Sequence, residues 1–322
     1  MAITSQPVPV AAIQGGGFSM SYSVLGFLSR AYLCTVLGIG LSAIPIAQGQ
    51  VQYASCKFNL FLLDPSKPMD PSIGWGIGAN DWGTTVGQAV KLVQGPIDTQ
   101  GFIRYSGGAV SYYTLSGAPL TFFNARNNNG VTIGGSFDSL GNGQAFMLQG
   151  SIVTLIDDPR GTPHSTQAWG INKYNSIVGS YLDPVTGASR GYKRYSNGSF
   201  AGLNYPGAQA TNPQSINDSG AVVGNYTTTR GVRHGFLYFN GKWSTLDYEL
   251  SPSPNLIGIS NAGVILGSNF IYANGTFKLL PNVPNSTWTE FYTMSPGGLI
   301  TGRAFGFSAD PNDQYGFTAS CK

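Results

Sequence analysis

Charge is scarce in this chain. Only 10% of its 322 residues are Asp, Glu, Lys or Arg, and the net charge of +3 comes with no basic run or stripe. That excludes the electrostatic footprint of a nucleic-acid binder. Histidine is nearly absent, with His164 and His234 alone, and there are three cysteines. No metal-ligand spacing results, so no metal site is expected. The chain has no nucleophile elbow, and its Gly-rich run Gly15-Gly16-Gly17 lies near the N-terminus rather than between a strand and a helix. Neither a hydrolase triad nor a phosphate-cradling cofactor is signalled, and the expected cofactor set is empty.

Glycine and aromatic residues are plentiful: 45 Gly, 12% aromatic and 42% hydrophobic overall. Tight turns with few solvated helix faces give this composition. Six copies of one pattern, apolar–Asn/Ser–x–x–Gly–x–x–apolar–Gly, run through residues 77–302. The turn residues are Asn80, Asn127, Asn172, Asn217, Ser260 and Ser295. The closing glycines are Gly87, Gly134, Gly179, Gly224, Gly267 and Gly302, in steps of 47, 45, 45, 43 and 35 residues. Repeats of this length built from short strands signal β-propeller blades. The expected fold is therefore all-β: one six-bladed propeller of four-stranded blades over residues 50–322.

The fourth copy shows the blade plan. Asn217-Asp218-Ser219-Gly220 reads as a turn in which Asn caps through its side chain and Gly takes the left-handed position. Asn175 fills that position in the third copy, as the non-Gly residue that visits it most readily. Ala221–Tyr226 and His234–Phe239 read as the second and third strands, and Asn240-Gly241 is a hairpin signal before Trp243–Tyr248. The last copy has no fourth strand, because the chain ends at Lys322. Phe58–Asp64 resembles a fourth strand and precedes the first blade, so it is expected to complete the last one and close the ring. Cys56 and Cys321 would then flank a cut hairpin and pair as a disulfide.

Residues 1–49 read as a leader and secretory signal peptide: Arg30, the apolar stretch Leu33–Ile46, then small residues before Gln50. The apolar stretch is short for a membrane span, so a secreted protein without a stable membrane anchor is expected. Asn197, Asn217, Asn225, Asn274 and Asn285 stand in glycosylation sequons.

The segments Gly170-Ile171-Asn172, Ile177-Val178-Gly179-Ser180-Tyr181, His234-Gly235-Phe236-Leu237-Tyr238 and Asn204-Tyr205-Pro206-Gly207-Ala208 resemble the extracellular HAF repeat. The resemblance covers most of residues 75–302 and implies a secreted propeller with no agreed catalytic residues to transfer. At the level of architecture alone, the signal, sequons and terminal cysteine pair resemble secreted fungal propeller hetero-Diels–Alderases.

Function is expected where the copies differ. The residues three before each turn residue include Asn124, Trp169, Gln214, Ile257 and Tyr292. Those five before include Trp75, Phe122, Gln167, Asn212, Asn255 and Glu290. Placed at a channel mouth, they form a ring of aromatics and amides with a single acid. Such a ring suits a small, partly apolar molecule or a glycan. The candidate ligand-binding residues are Trp75, Phe122, Gln167, Trp169, Asn212, Gln214 and Tyr292. The candidate proton-transfer or polarising residues are His164, beside Asp157, Asp158 and Arg160, together with Glu290 and Arg303. A cofactor-free cyclase of polyketide or terpenoid secondary metabolism is one reading. A non-catalytic extracellular glycan- or surface-binding propeller is the other. A monomer is expected in either case.

Overall fold

A computed structural model describes residues 52–63, 78–91, 98–249, 254–308 and 314–322. Residues 1–49, read above as a leader and signal peptide, and Trp75 lie outside the described residues. Every regular element among those described is a strand, and none is a helix long and apolar enough to cross a membrane.

The strands form antiparallel meanders. After β1 (Cys56–Phe61) come β2 (Gly78–Ala79), β3 (Thr85–Lys91), β4 (Asp98–Arg104) and β5 (Val110–Tyr113), then β6 (Leu120–Arg126), β7 (Thr132–Phe137), β8 (Gly143–Gln149) and β9 (Ile152–Ile156). One parallel bridge, Thr99 opposite Leu120, joins the sets β2–β5 and β6–β9 into an eight-stranded sheet. Four-stranded sheets follow. The first is β10 (Gln167–Ile171), β11 (Ile177–Leu182), β12 (Ser189–Arg194) and β13 (Phe200–Gly202). The second is β14 (Ala210–Ile216), β15 (Val222–Thr227), β16 (Arg233–Phe239) and β17 (Lys242–Thr245). The third is β18 (Leu256–Ile259), β19 (Ile265–Gly267), β20 (Phe270–Ala273) and β21 (Thr276–Leu279).

The last sheet draws on both ends of the described chain. β22 (Trp288–Met294), β23 (Ile300–Phe305) and β24 (Gln314–Cys321) take β1 as their fourth strand. Cys56 sits opposite Cys321 in that register, and the two form a disulfide spanning 265 residues. The segment before β1 also ties down a neighbour: Tyr53 bridges Leu279 in parallel, and Ala54 N donates to Leu279 O.

This is a β-propeller arrangement of four-stranded blades. The first strands lie innermost and pack side by side. A Cβ on Gly78 would stand 2.4 Å from Asn124 O, one on Gly170 2.9 Å from Gln214 O, and one on Gly258 2.6 Å from Met294 Cβ. Only glycine permits so close an approach. Residues of β2, β6, β10, β14 and β22 surround a gap of about 20 Å³. The apolar core lies between sheets. Ile133, Ala145 and Ile156 pack against Ala168, Ile171, Ile177 and Tyr192 across one such seam, and Val223 meets Leu256, Ile259 and Phe270 across another.

The repeat residues build the turns. The side-chain oxygen of each turn residue accepts from the backbone N–H four positions on: Asn80 from Thr84, Asn127 from Val131, Asn172 from Ser176, Asn217 from Ala221, Ser260 from Val264 and Ser295 from Leu299. Asn175 holds φ 58° where Gly220 holds 84°, as the pattern predicts. His234 is structural: Nδ1 lies 2.6 Å from Asp247 Oδ2, and Asp247 Oδ1 accepts from Gly235 N.

Burial corrects two of the glycan sites. Asn217 and Asn225 are 3% and 1% exposed, and each Nδ2 is committed, to Ser260 O and to Asn255 Oδ1. A glycan on either nitrogen could not be housed in this fold. Asn197, Asn274 and Asn285 are exposed.

Candidate small-molecule site

Five of the first strands carry a β-bulge at the same place. The pairing register skips Asn124, Trp169, Gln214, Ile257 and Tyr292. These are the residues three before each repeat Asn or Ser. A bulge residue is released from the ladder and re-aims its side chain, so the copies can differ there without disturbing the sheet.

At one seam this divergence leaves space. Between the β6–β9 and β10–β13 meanders lies a cavity of about 410 Å³, within the usual range for small-molecule pockets. Phe122, Phe137, Trp169 and Tyr181 supply its aromatic walls, and Gly134 and Gly135 its floor. Phe122 and Phe137 stack with centroids 6.0 Å apart. A Cβ on Gly135 would stand 2.5 Å from Phe122 Cζ, so glycine is what lets the ring lie over β7. Burial, as the first cause, raises the pKa of Tyr181 above the ordinary tyrosine value.

The loop before β10 is braced from beneath. Buried Asp158 takes Arg160 Nε at 2.8 Å and Nη2 at 2.5 Å, and Arg160 lies over the Tyr181 ring. Thr166 donates to Asp157 and accepts from Asp158 N. The loop end docks on β11: Thr162 N donates to Leu182 O, and Ser165 Oγ accepts from Leu182 N. His164, at φ 64°, stands exposed at the rim.

Asp157 and Asp158 are thus engaged within the loop. The carboxylate that shares a cleft lining with His164 is Asp138. Hydrogen bonds from Asn142, followed by other contacts that include the charge of His164, lower its pKa. Sequence reasoning missed Asp138 and Gly135. One signal was available for Gly135: in the second copy alone, another glycine follows the closing glycine.

The structure brings Phe122, Gln167, Trp169 and His164 to one cavity and leaves the other candidates elsewhere. Asn212 Oδ1 accepts from Ser189 Oγ at 2.5 Å, beyond the cavity's far wall. Gln214 is the bulge residue of β14. Glu290, Tyr292 and Arg303 form a separate cluster on the last sheet. There Glu290 Oε2 accepts from Tyr292 OH at 2.5 Å and Arg303 Nη2 at 3.1 Å. Burial, ahead of the bond to Glu290, raises the Tyr292 pKa.

No family model matches the chain, and no curated protein matches it in sequence. The HAF-repeat resemblance therefore rests on the quoted residues alone. Among solved structures, TolB from Acinetobacter baumannii aligns at 14% identity over 77% of this chain and 56% of its own, with a TM-score of 0.45. A mutant of AofleA from Arthrobotrys oligospora aligns at 11% over 83% and 93%, with 0.44. A gluconolactonase from Xanthomonas campestris aligns at 13% over 79% and 88%, with 0.45.

Proposed function

We propose that the chain is a secreted, six-bladed propeller that binds one small, partly apolar molecule in the cavity between its second and third blades. The blade count and ring closure are supported by hydrogen bonds between successive repeat turns. Asn128 bonds Asp81, Asn127 reaches Asn172 O, Asn172 reaches Asn217 O and Asn217 reaches Ser260 O. Asn261 N then donates to Pro296 O, and Gly297 N returns to the Asp81 carboxylate. The disulfide suits an oxidising compartment, in keeping with the sequence signal for secretion.

The glycine floor under facing aromatic walls carries the binding reading. At the matching positions of other sheets, longer side chains engage one another: Asn225 and Arg233 converge on Asn255, and Arg303 on Glu290. Such unequal seams suit a single specific pocket better than the equivalent sites of a multivalent glycan binder. Within the pocket, the finer reading is cofactor-free ring closure. Two walls that hold a flexible precursor in a reactive pose supply much of the acceleration such a reaction needs, and His164 with Asp138 offers proton transfer at the rim.

The test incubates the purified protein with neutral conjugated diene–enone precursors and follows ring-closed product by chiral chromatography. Product above the uncatalysed background, lost in Gly135→Val, is expected. Binding without product in every case would leave a non-catalytic binder. Absence of any binding that depends on Gly135 or Phe122 would sink the pocket.

A further inference from the structure

The cavity has many polar lining residues, but most are already committed. Ser136, Ser165, Thr166 and Ser189 all donate to protein acceptors, as do the amides of Asn142 and Gln144. Asn124 spends its amide N–H on Ala168 O. The sheet wall differs. Gln167 and Ser180 are registered opposite each other on β10 and β11, so their side chains share a face. Ser180 is 4% exposed and lines the cavity, as does Gln167. Among the described residues, neither the Ser180 hydroxyl nor the Gln167 amide has a hydrogen-bond partner.

The same register position is filled elsewhere. Asn225, opposite Asn212, bonds Asn255 at 2.8 Å. Arg303, opposite Glu290, bonds it at 3.1 Å. Gln167 is exposed at the cavity and Ser180 lines it, so both groups can be satisfied by whatever the cavity holds. The seam with the cavity is the seam where the cross-strand pair is left for something else to satisfy.

Resting on the pocket reading above, we infer that Gln167 and Ser180 together bind a carbonyl oxygen of a neutral, flat aromatic ligand held between Phe122 and Trp169. The amide and the hydroxyl can both donate, and a carbonyl oxygen accepts two hydrogen bonds. A carboxylate is disfavoured because no Lys or Arg lines the cavity and its walls are largely apolar, so the ion would lose its hydration without a partner. A sugar is disfavoured because the walls are mainly aromatic and apolar, so most of its hydroxyls would lose their hydration without a partner.

Titration calorimetry on the mature chain with 1-tetralone, 1-naphthoate and methyl β-glucoside tests this. Tetralone is expected to bind, the other two to bind at least tenfold more weakly. Gln167→Ala and Ser180→Ala are each expected to raise the tetralone Kd about five- to tenfold. Both substitutions remove side chains that bond nothing in the protein, so folding is expected to survive, and an unchanged melting temperature checks it. Tetralone binding that is lost in Phe122→Ala but indifferent to both polar variants would overturn the carbonyl assignment and keep the pocket. Naphthoate or the glucoside binding as tightly as tetralone would overturn it too. No binding of any probe to the parent protein would overturn the pocket itself.

Discussion

The two ends of the sheets are built on different terms. At the turn end, the repeat residues do the same thing in every copy: a side-chain oxygen caps the turn, and in three copies the asparagine amide also reaches across to the next turn. At the loop end, the bulge residue and its neighbours differ from copy to copy. The last sheet holds an ion pair, Glu290 with Arg303, one seam holds an amide–guanidinium knot on Asn255, and one holds a cavity. Repetition at one end supplies a rigid frame against which the other can vary. Perturbing the turn end should therefore move stability and spare binding, and perturbing the cavity seam should do the reverse.

The disulfide offers the largest effect. Cross-linking positions 265 residues apart stabilises by up to about 5 kcal/mol on the chain-entropy model. Cys56→Ser with Cys321→Ser should lower the denaturant midpoint sharply, while tetralone affinity in the folded fraction stays unchanged. Equal stability of the oxidised and double-mutant proteins would show that the β1–β24 ladder alone holds the last sheet. Asn217→Ala should come next. It removes the cap on Ala221 N and the bond to Ser260 O, both buried, at about 2–3 kcal/mol. A comparable loss of ligand affinity would break the division between the two ends.

The frame was legible in the sequence because its determinants are local. Asn or Ser followed three residues later by Gly or Asn specifies a turn wherever it occurs, and each of the six occurrences forms one. The lent strand and the Cys56–Cys321 pair followed from counting strands and cysteines. The cavity was legible only in part. Phe122, Gln167 and Trp169 stood out as departures from the repeat, but a cavity is defined by what fails to fill it. Gly135 has no side chain to notice, and Asp138 belongs to a hairpin that reads as an ordinary turn. Glu290 was expected in the same ring as the cavity residues, and Arg303 was a separate polarising candidate. Cross-strand pairing, not visible from spacing alone, joins them to each other instead.

At the cavity seam, Gly135→Val places a side chain where Phe122 lies. Tetralone affinity should fall at least tenfold, with a stability cost of about 1–2 kcal/mol. Glu290→Ala is the matched control. It should cost about 2 kcal/mol by breaking a half-buried pair and leave tetralone affinity within twofold. If Glu290→Ala abolished binding while Gly135→Val did not, the site would belong to the last sheet.

The smallest effect concerns acid. Asp183, in the loop between β11 and β12, accepts from Val185 N and Thr186 N and pairs with Arg190. Those bonds, the backbone ones first, lower its pKa from 3.8 to about 2. Its folded pKa lies below its unfolded value, so its contribution is complete above about pH 4 and is lost as pH falls toward 2. The carboxylate is partly exposed in a surface loop, so solvent screening keeps that contribution small. The pKa of Asp138, in the hairpin beside the cavity, is lowered in the same direction. Both groups sit at the loop end, so acid should loosen that end before the turn end. The stability difference between the parent protein and Asp183→Asn should shrink between pH 4 and pH 2, with ligand affinity declining ahead of global unfolding. A difference that stays constant across that range would mean that Asp183 gains nothing from its loop, and that the two ends respond to acid as one.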